Sequence, residues 1–108
     1  MKLKNLATGL FVSLASLSGA ACAAGDPAAG EKKAGACMGC HGISGYQNAY
    51  PTYHVPKLGG QHAEYLLAAL KAYKSGQRNH STMKAQAASL SDADMADLAA
   101  YFAGTESK

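Results

Sequence analysis

Cys37-Met38-Gly39-Cys40-His41 is the stretch of this sequence with chemistry in it. Two thiols three positions apart project from one side of a helical turn, where they can reach the two vinyl groups along one edge of a single porphyrin. The histidine that follows can swing its imidazole over an iron at the centre of that ring. Met38 and Gly39 fill the interval, and the missing side chain of Gly39 lets a flat macrocycle come close to the backbone. This spacing is the attachment signature of a c-type haem, with Cys37 and Cys40 as its thioether carriers and His41 as the proximal iron ligand. Two other chemistries use similar residues. A thiol–disulfide redox pair wants a βαβ context, which the chain lacks. A four-ligand zinc site wants a second Cys/His pair at metal spacing, and no cysteine follows Cys40.

The rest of the chain bounds what can position these residues. Its 108 residues allow one domain at most. The hydrophobic fraction of 48% is inflated by the N-terminus, where Lys2 and Lys4 precede a short apolar run at residues 6–17 and a small-residue tail at 18–24. That order reads as a secretory signal peptide, too short and wrongly flanked for a membrane span. Cleavage before Ala24 removes residues 1–23 and leaves a domain of 85 residues, 24–108. Cys22 leaves with the signal, so the odd count of three cysteines becomes a pair. The alternative, acylation of Cys22 as a lipid anchor, wants a large aliphatic residue three positions earlier, where Gly19 stands. Without Lys2 and Lys4, eight basic residues face seven acidic ones, a net charge of +1 that gives no basic cluster for nucleic acid. A domain this small has a thin core, and a covalently held macrocycle would serve as its staple; the apoprotein is expected to fold poorly.

Asp26 is a good N-cap and Pro27 a natural first helical residue, so a helix is expected over residues 27–37 with the attachment turn at its end. Residues 42–60 hold four glycines and two prolines with no helical apolar repeat and read as loop. Pro56 in that loop is placed to offer a rigid carbonyl to the free ring N–H of His41. Tyr46, Tyr50 and Tyr53 in the same loop either pack on the haem edge or simply cover the core. A second helix is expected over residues 61–75, with Ala63, Leu66, Leu67, Leu70 and Tyr73 on one face and Gly76 as its stop. The candidates for a second axial ligand are His54, His62, His80, Met38, Met83 and Met95. Met38 is confined to the attachment turn, Met95 falls on the apolar face of the last helix, and His62 starts a helix. Met83 lies in a polar stretch, residues 77–90, read as a loop that can reach the distal face of the ring; it is the preferred ligand, His80 its principal rival and His54 behind it. The last helix opens at the N-cap Ser91, carries Asp92 and Asp94 in its first turn, buries Met95, Leu98, Ala99 and Phe102, and ends at Gly104. No strand signal stands out.

Taken together these residues resemble the small class I c-type cytochromes of bacteria, in particular single-haem relatives of cytochrome c4 and the cytochrome c553 type. The resemblance rests on Cys37-Met38-Gly39-Cys40-His41-Gly42, on Pro56-Lys57-Leu58-Gly59-Gly60-Gln61 leading to Tyr65-Leu66, on Gly76-Gln77-Arg78, on Met83, and on Leu90-Ser91-Asp92-Ala93-Asp94 running into Leu98-Ala99-Ala100-Tyr101-Phe102-Ala103. It implies an all-α fold of three to four helices wrapped around one covalently attached haem c, with the first and last helices crossing. It further implies Met83 as distal ligand and Pro56 as the support of His41. Members often carry a Met-Met pair before the last helix; here the first of the pair is Thr82. The implied role is a periplasmic electron carrier that transforms no substrate and meets donor and acceptor redox proteins transiently. The alternatives kept open are the cytochrome subunit of a larger oxidoreductase, such as a flavocytochrome or dehydrogenase complex, and a haem-based ligand binder with an open iron position.

Overall fold

The computed structural model describes residues 25–106. The expected signal segment, residues 1–23, and Cys22 within it lie outside the described residues. Among those described there are five helices, α1 (Pro27–Lys33), α2 (Gly35–His41), α3 (Ala63–Ser75), α4 (Ser81–Ala88) and α5 (Asp92–Gly104), and a two-stranded hairpin, β1 (Gln47–Ala49) and β2 (Thr52–His54).

The frame is the crossing of α1 on α5. The Asp26 carboxylate caps α1 by accepting from the Ala28 amide at 3.0 Å, and Pro27 supplies the first helical φ. Ser91 caps α5 through a reciprocal box: its hydroxyl accepts from the Asp94 amide while the Asp94 carboxylate accepts from the Ser91 amide. The two helices meet at Gly30, where an added Cβ would lie 2.0 Å from the Asp97 carbonyl oxygen and 2.8 Å from Tyr101 Cβ. Only glycine permits that approach. Lys33 then ties the crossing from outside, with its ammonium 2.9 Å from Asp94 and 2.6 Å from Asp97. Asp97 also accepts the Asp26 amide at 2.8 Å.

Against this frame α3 lays its expected face. Leu66 is buried with Ala34, Leu98, Ala99 and Phe102, and Ala63, Leu67 and Leu70 pack around them. The left-handed Gly76 (φ 84°) ends α3 as its position predicts. Met95 is 1% exposed, which makes it core and removes it from the ligand candidates.

Three segments differ from expectation. The helix over 27–37 is two helices. The amide of buried Ala34 bonds the Glu31 carbonyl, tightening the last turn, and Gly35 follows with little helix propensity of its own. The attachment motif thus occupies a separate short helix, α2. Within the expected loop 42–60, β1 and β2 pair antiparallel with Asn48 opposite Tyr53, about a turn at the cis Tyr50–Pro51 peptide. Asn48 Nδ2 closes that turn on the Pro51 carbonyl at 2.7 Å. The signal lay in strands only three residues long, each with a half-buried centre between exposed neighbours, too short to register as a period. Finally, the polar stretch holding Met83 is not loop throughout: residues 81–88 form α4, where buried Ala87 docks the helix although its sequence has almost no amphipathic pattern.

Candidate haem site

One wall of the site comes from α2 and the loop after the hairpin. α2 places Cys37, Cys40 and His41 within a turn and a half, and both cysteines are unpaired. His41 Nδ1 lies 2.7 Å from the Pro56 carbonyl oxygen. A carbonyl only accepts, so Nδ1 donates and the lone pair of the ring sits on Nε2, the tautomer a metal requires. The loop that carries Pro56 is itself pinned to the end of α5, where the Gly60 amide donates to the Phe102 carbonyl at 3.0 Å.

The other wall comes from α3, α4 and the edge of the hairpin. Met83 stands at the third position of α4, half-buried. His80 caps that helix: its Nδ1 accepts from the Met83 amide at 3.3 Å. The His80 ring packs edge-on to Tyr53, centroids 4.7 Å apart, and to Tyr73 at 6.1 Å. The Tyr53 hydroxyl donates to Thr82 Oγ1 at 3.0 Å, and the Arg78 guanidinium lies 4.8 Å over the Tyr73 ring.

Between the walls is a cleft of about 470 Å³ whose lining includes Cys37, Cys40, His41, Pro56 and Met83, with Leu66, Leu98, Ala99 and Phe102 as its floor. Among the described residues α2 and α4 do not approach one another, so the cleft separates His41 from Met83. A largely apolar hollow of this size with a few converging polar donors is what a flat cofactor requires. Burial pushes the Cys37 thiol up, and the neighbouring Cys40 adds to it. A thiol–disulfide catalyst needs the opposite, a stabilised thiolate. Among the described residues no three His, Cys, Asp or Glu side chains gather at metal-ligand spacing, so the zinc reading has no ligand set either. Two adjacent thiols, a fixed imidazole with a free Nε2 and a facing thioether fit haem c.

The comparisons with known proteins point to the same cofactor. Residues 27–106 match the family described as Cytochrome c. The chain belongs to the cytochrome c family. It is 50% identical over 86 residues to cytochrome c-554(548) of Halomonas halodenitrificans, covering 77% of this chain and 100% of that one. It is 44% identical over 101 residues to cytochrome c4 of Pseudomonas aeruginosa, covering 94% of this chain and 48% of the relative. The solved structure of reduced recombinant cytochrome c4 from Pseudomonas stutzeri superposes with a TM-score of 0.59 at 35% identity, over 76% of this chain and 50% of that one. The chain therefore spans about half the length of the cytochrome c4 relatives and the full length of the smaller one. The expected class I cytochrome c fold of the c4 type is the fold observed, with the helix count raised to five by the break at Ala34 and by α4. As a cytochrome c it binds one haem c covalently, with Cys37 and Cys40 standing at the attachment positions, and it is a haem-based electron carrier.

The other candidates fall into place around the cleft. His54 and His80 line it, His62 is exposed at the start of α3, and Met38 is 41% exposed beside a separate hollow. Of the three loop tyrosines only Tyr53 reaches the cleft, while Tyr50 is 98% exposed at the hairpin tip. The sequence reading missed the joint role of Tyr53, Tyr73 and His80. These positions are distant in the chain and share no periodicity, so no local signal could have joined them.

Proposed function

We propose that the chain is a periplasmic single-electron carrier in which Cys37 and Cys40 hold the haem, His41 Nε2 binds the iron on one face and the Met83 sulfur binds it on the other. Haem c, when bound, supplies a one-electron Fe(III)/Fe(II) couple. The residues around it set its terms. The Pro56 carbonyl keeps the His41 proton on Nδ1 and the ring in one orientation, so the proximal bond needs no rearrangement on electron transfer. Met83 offers a soft thioether that favours the reduced metal over what a second imidazole would give. The floor of Leu66, Leu98, Ala99 and Phe102 excludes water from the ring. Met38 (41% exposed), inside the attachment turn, and Ile43 (50% exposed), just after it, offer a small apolar contact to donor and acceptor proteins, the kind of surface that suits a brief encounter. An export signal at residues 1–23 delivers the chain to the compartment where such haems are attached.

That His41 and Met83 line one largely apolar cleft, from helices that do not touch, carries this reading. Its test is the optical spectrum of protein purified from a periplasm competent for haem attachment. The oxidised parent should show the weak long-wavelength sulfur-to-iron band. Met83→Ala should lose it and fall in reduction potential by roughly 100 mV or more, within the ~0.8 V span that axial ligands control. A band that is absent from the parent, or that survives Met83→Ala, rejects the ligand assignment.

A further inference from the structure

We propose that His80 is a positioning residue for the distal ligand, holding the first turn of α4 through the amide of Met83 itself; this rests on the His41/Met83 reading above. Helix α4 has eight residues and almost no amphipathic pattern, so little in its own sequence keeps it formed. Its start is fixed by two contacts. His80 sits at the N-cap in extended backbone (φ −163°, ψ 106°) and its Nδ1 accepts the amide of Met83, the third helical residue. The adjacent Thr82 receives the Tyr53 hydroxyl.

Histidine seldom caps helices, where Ser, Thr, Asp and Asn lead. Here the ring does two things that those residues cannot do together. It accepts the Met83 amide, and it fills the gap between Tyr53 of the hairpin and Tyr73 of α3 with edge-on contacts. Because Nδ1 is committed to an amide, the ring proton lies on Nε2, and the imidazole that competed with Met83 for the iron in the sequence instead holds Met83 in place. When the cap opens, the first turn of α4 frays and carries the methionine away from the cleft.

The test is displacement of the distal ligand by added imidazole in the oxidised holoprotein, followed by loss of the sulfur-to-iron band. A local opening that becomes easier makes the competitor bind more tightly by the same factor. His80→Ala should tighten apparent imidazole binding about fivefold, the usual weight of a lost N-cap. His80→Asn retains a capping oxygen without the ring and should return to within about twofold of the parent. His80→Phe retains the ring contacts without the acceptor and should behave like His80→Ala. Rescue by Phe and not by Asn would show that His80 acts by packing alone and would overturn the proposal, as would imidazole binding unchanged in all three. Met83→Ala serves as the control. If it keeps the sulfur band, the ligand reading itself fails; if it loses the band while the His80 variants do not move, only the positioning role fails.

Discussion

The crossing of α1 on α5 and the cleft between α2 and α4 are built by opposite rules. At the crossing, backbone meets backbone: Gly30 admits the Asp97 carbonyl, and Lys33 closes the outer edge on Asp94 and Asp97. Nothing is left to add there. At the cleft, apolar walls face each other without touching, and the buried apolar side chains of the described residues come to Ala34, Leu66, Ala87, Met95, Leu98, Ala99 and Phe102, three of them alanines. Four of these, Leu66, Leu98, Ala99 and Phe102, floor the cleft, so one face of the core belongs to the prosthetic group. One half of the molecule is complete as a polypeptide, and the other is a socket.

Removing the thioethers with Cys37→Ser and Cys40→Ser together tests that division most severely. The haem-free chain should lose its cooperative thermal transition by circular dichroism, and residual amide protection should be confined to α1, α3 and α5. Native protection in α2 and α4 without haem would break the distinction. Next in size is Gly30→Ala. With backbone in the way rather than a flexible side-chain end, it should cost about 3 kcal/mol, a drop in Tm on the order of 15 °C, while leaving the sulfur-to-iron band at room temperature in place. Loss of the band in step with Tm would show that the two halves are not separable.

The smallest effect is electrostatic. The Lys33 ammonium, joined by the Ser91 amide and hydroxyl, holds the Asp94 carboxyl down to about 2 from an ordinary value of 3.8. A carboxyl lowered on folding stabilises the fold above its unfolded value, and that contribution fades as pH falls through the folded one. Tm should therefore decline between about pH 4 and pH 2, and Asp94→Asn should flatten the decline; an unchanged acid limb would remove Asp94 from the lock. Both side chains are substantially solvated, which keeps this effect below the other two.

What the sequence disclosed follows the same line. The attachment motif, the caps at Asp26 and Ser91, the stripes of α3 and α5 and the stops at Gly76 and Gly104 are all local patterns, each read from a few consecutive residues. So is the pairing of Pro56 with His41, because a ligating imidazole creates a demand for an acceptor and a rigid loop carbonyl can meet it. The break at Ala34 was not legible, since it depends on Ala34 being buried by α5. Nor was the hairpin, whose strands are too short to show alternation. Helix α4 was hidden for a stronger reason: its order comes from Tyr53, Tyr73 and His80, which meet only in three dimensions. The parts specified by tertiary contact are those beside Met83.

Gly76 and Ser91 mark sharp borders. The left-handed glycine closes α3, the capping box opens α5, and residues 77–90 between them bring Met83 to the cleft. Nothing on the His41 side passes through that segment: the thiols, the imidazole and the Pro56 carbonyl all come from earlier in the chain. Residues 77–90 therefore form one segment between two fixed splice points, and outside it α4 leans on Tyr53 and Tyr73. Exchanging that segment leaves the haem-attachment residues untouched, provided that its replacement still meets Tyr53 and Tyr73.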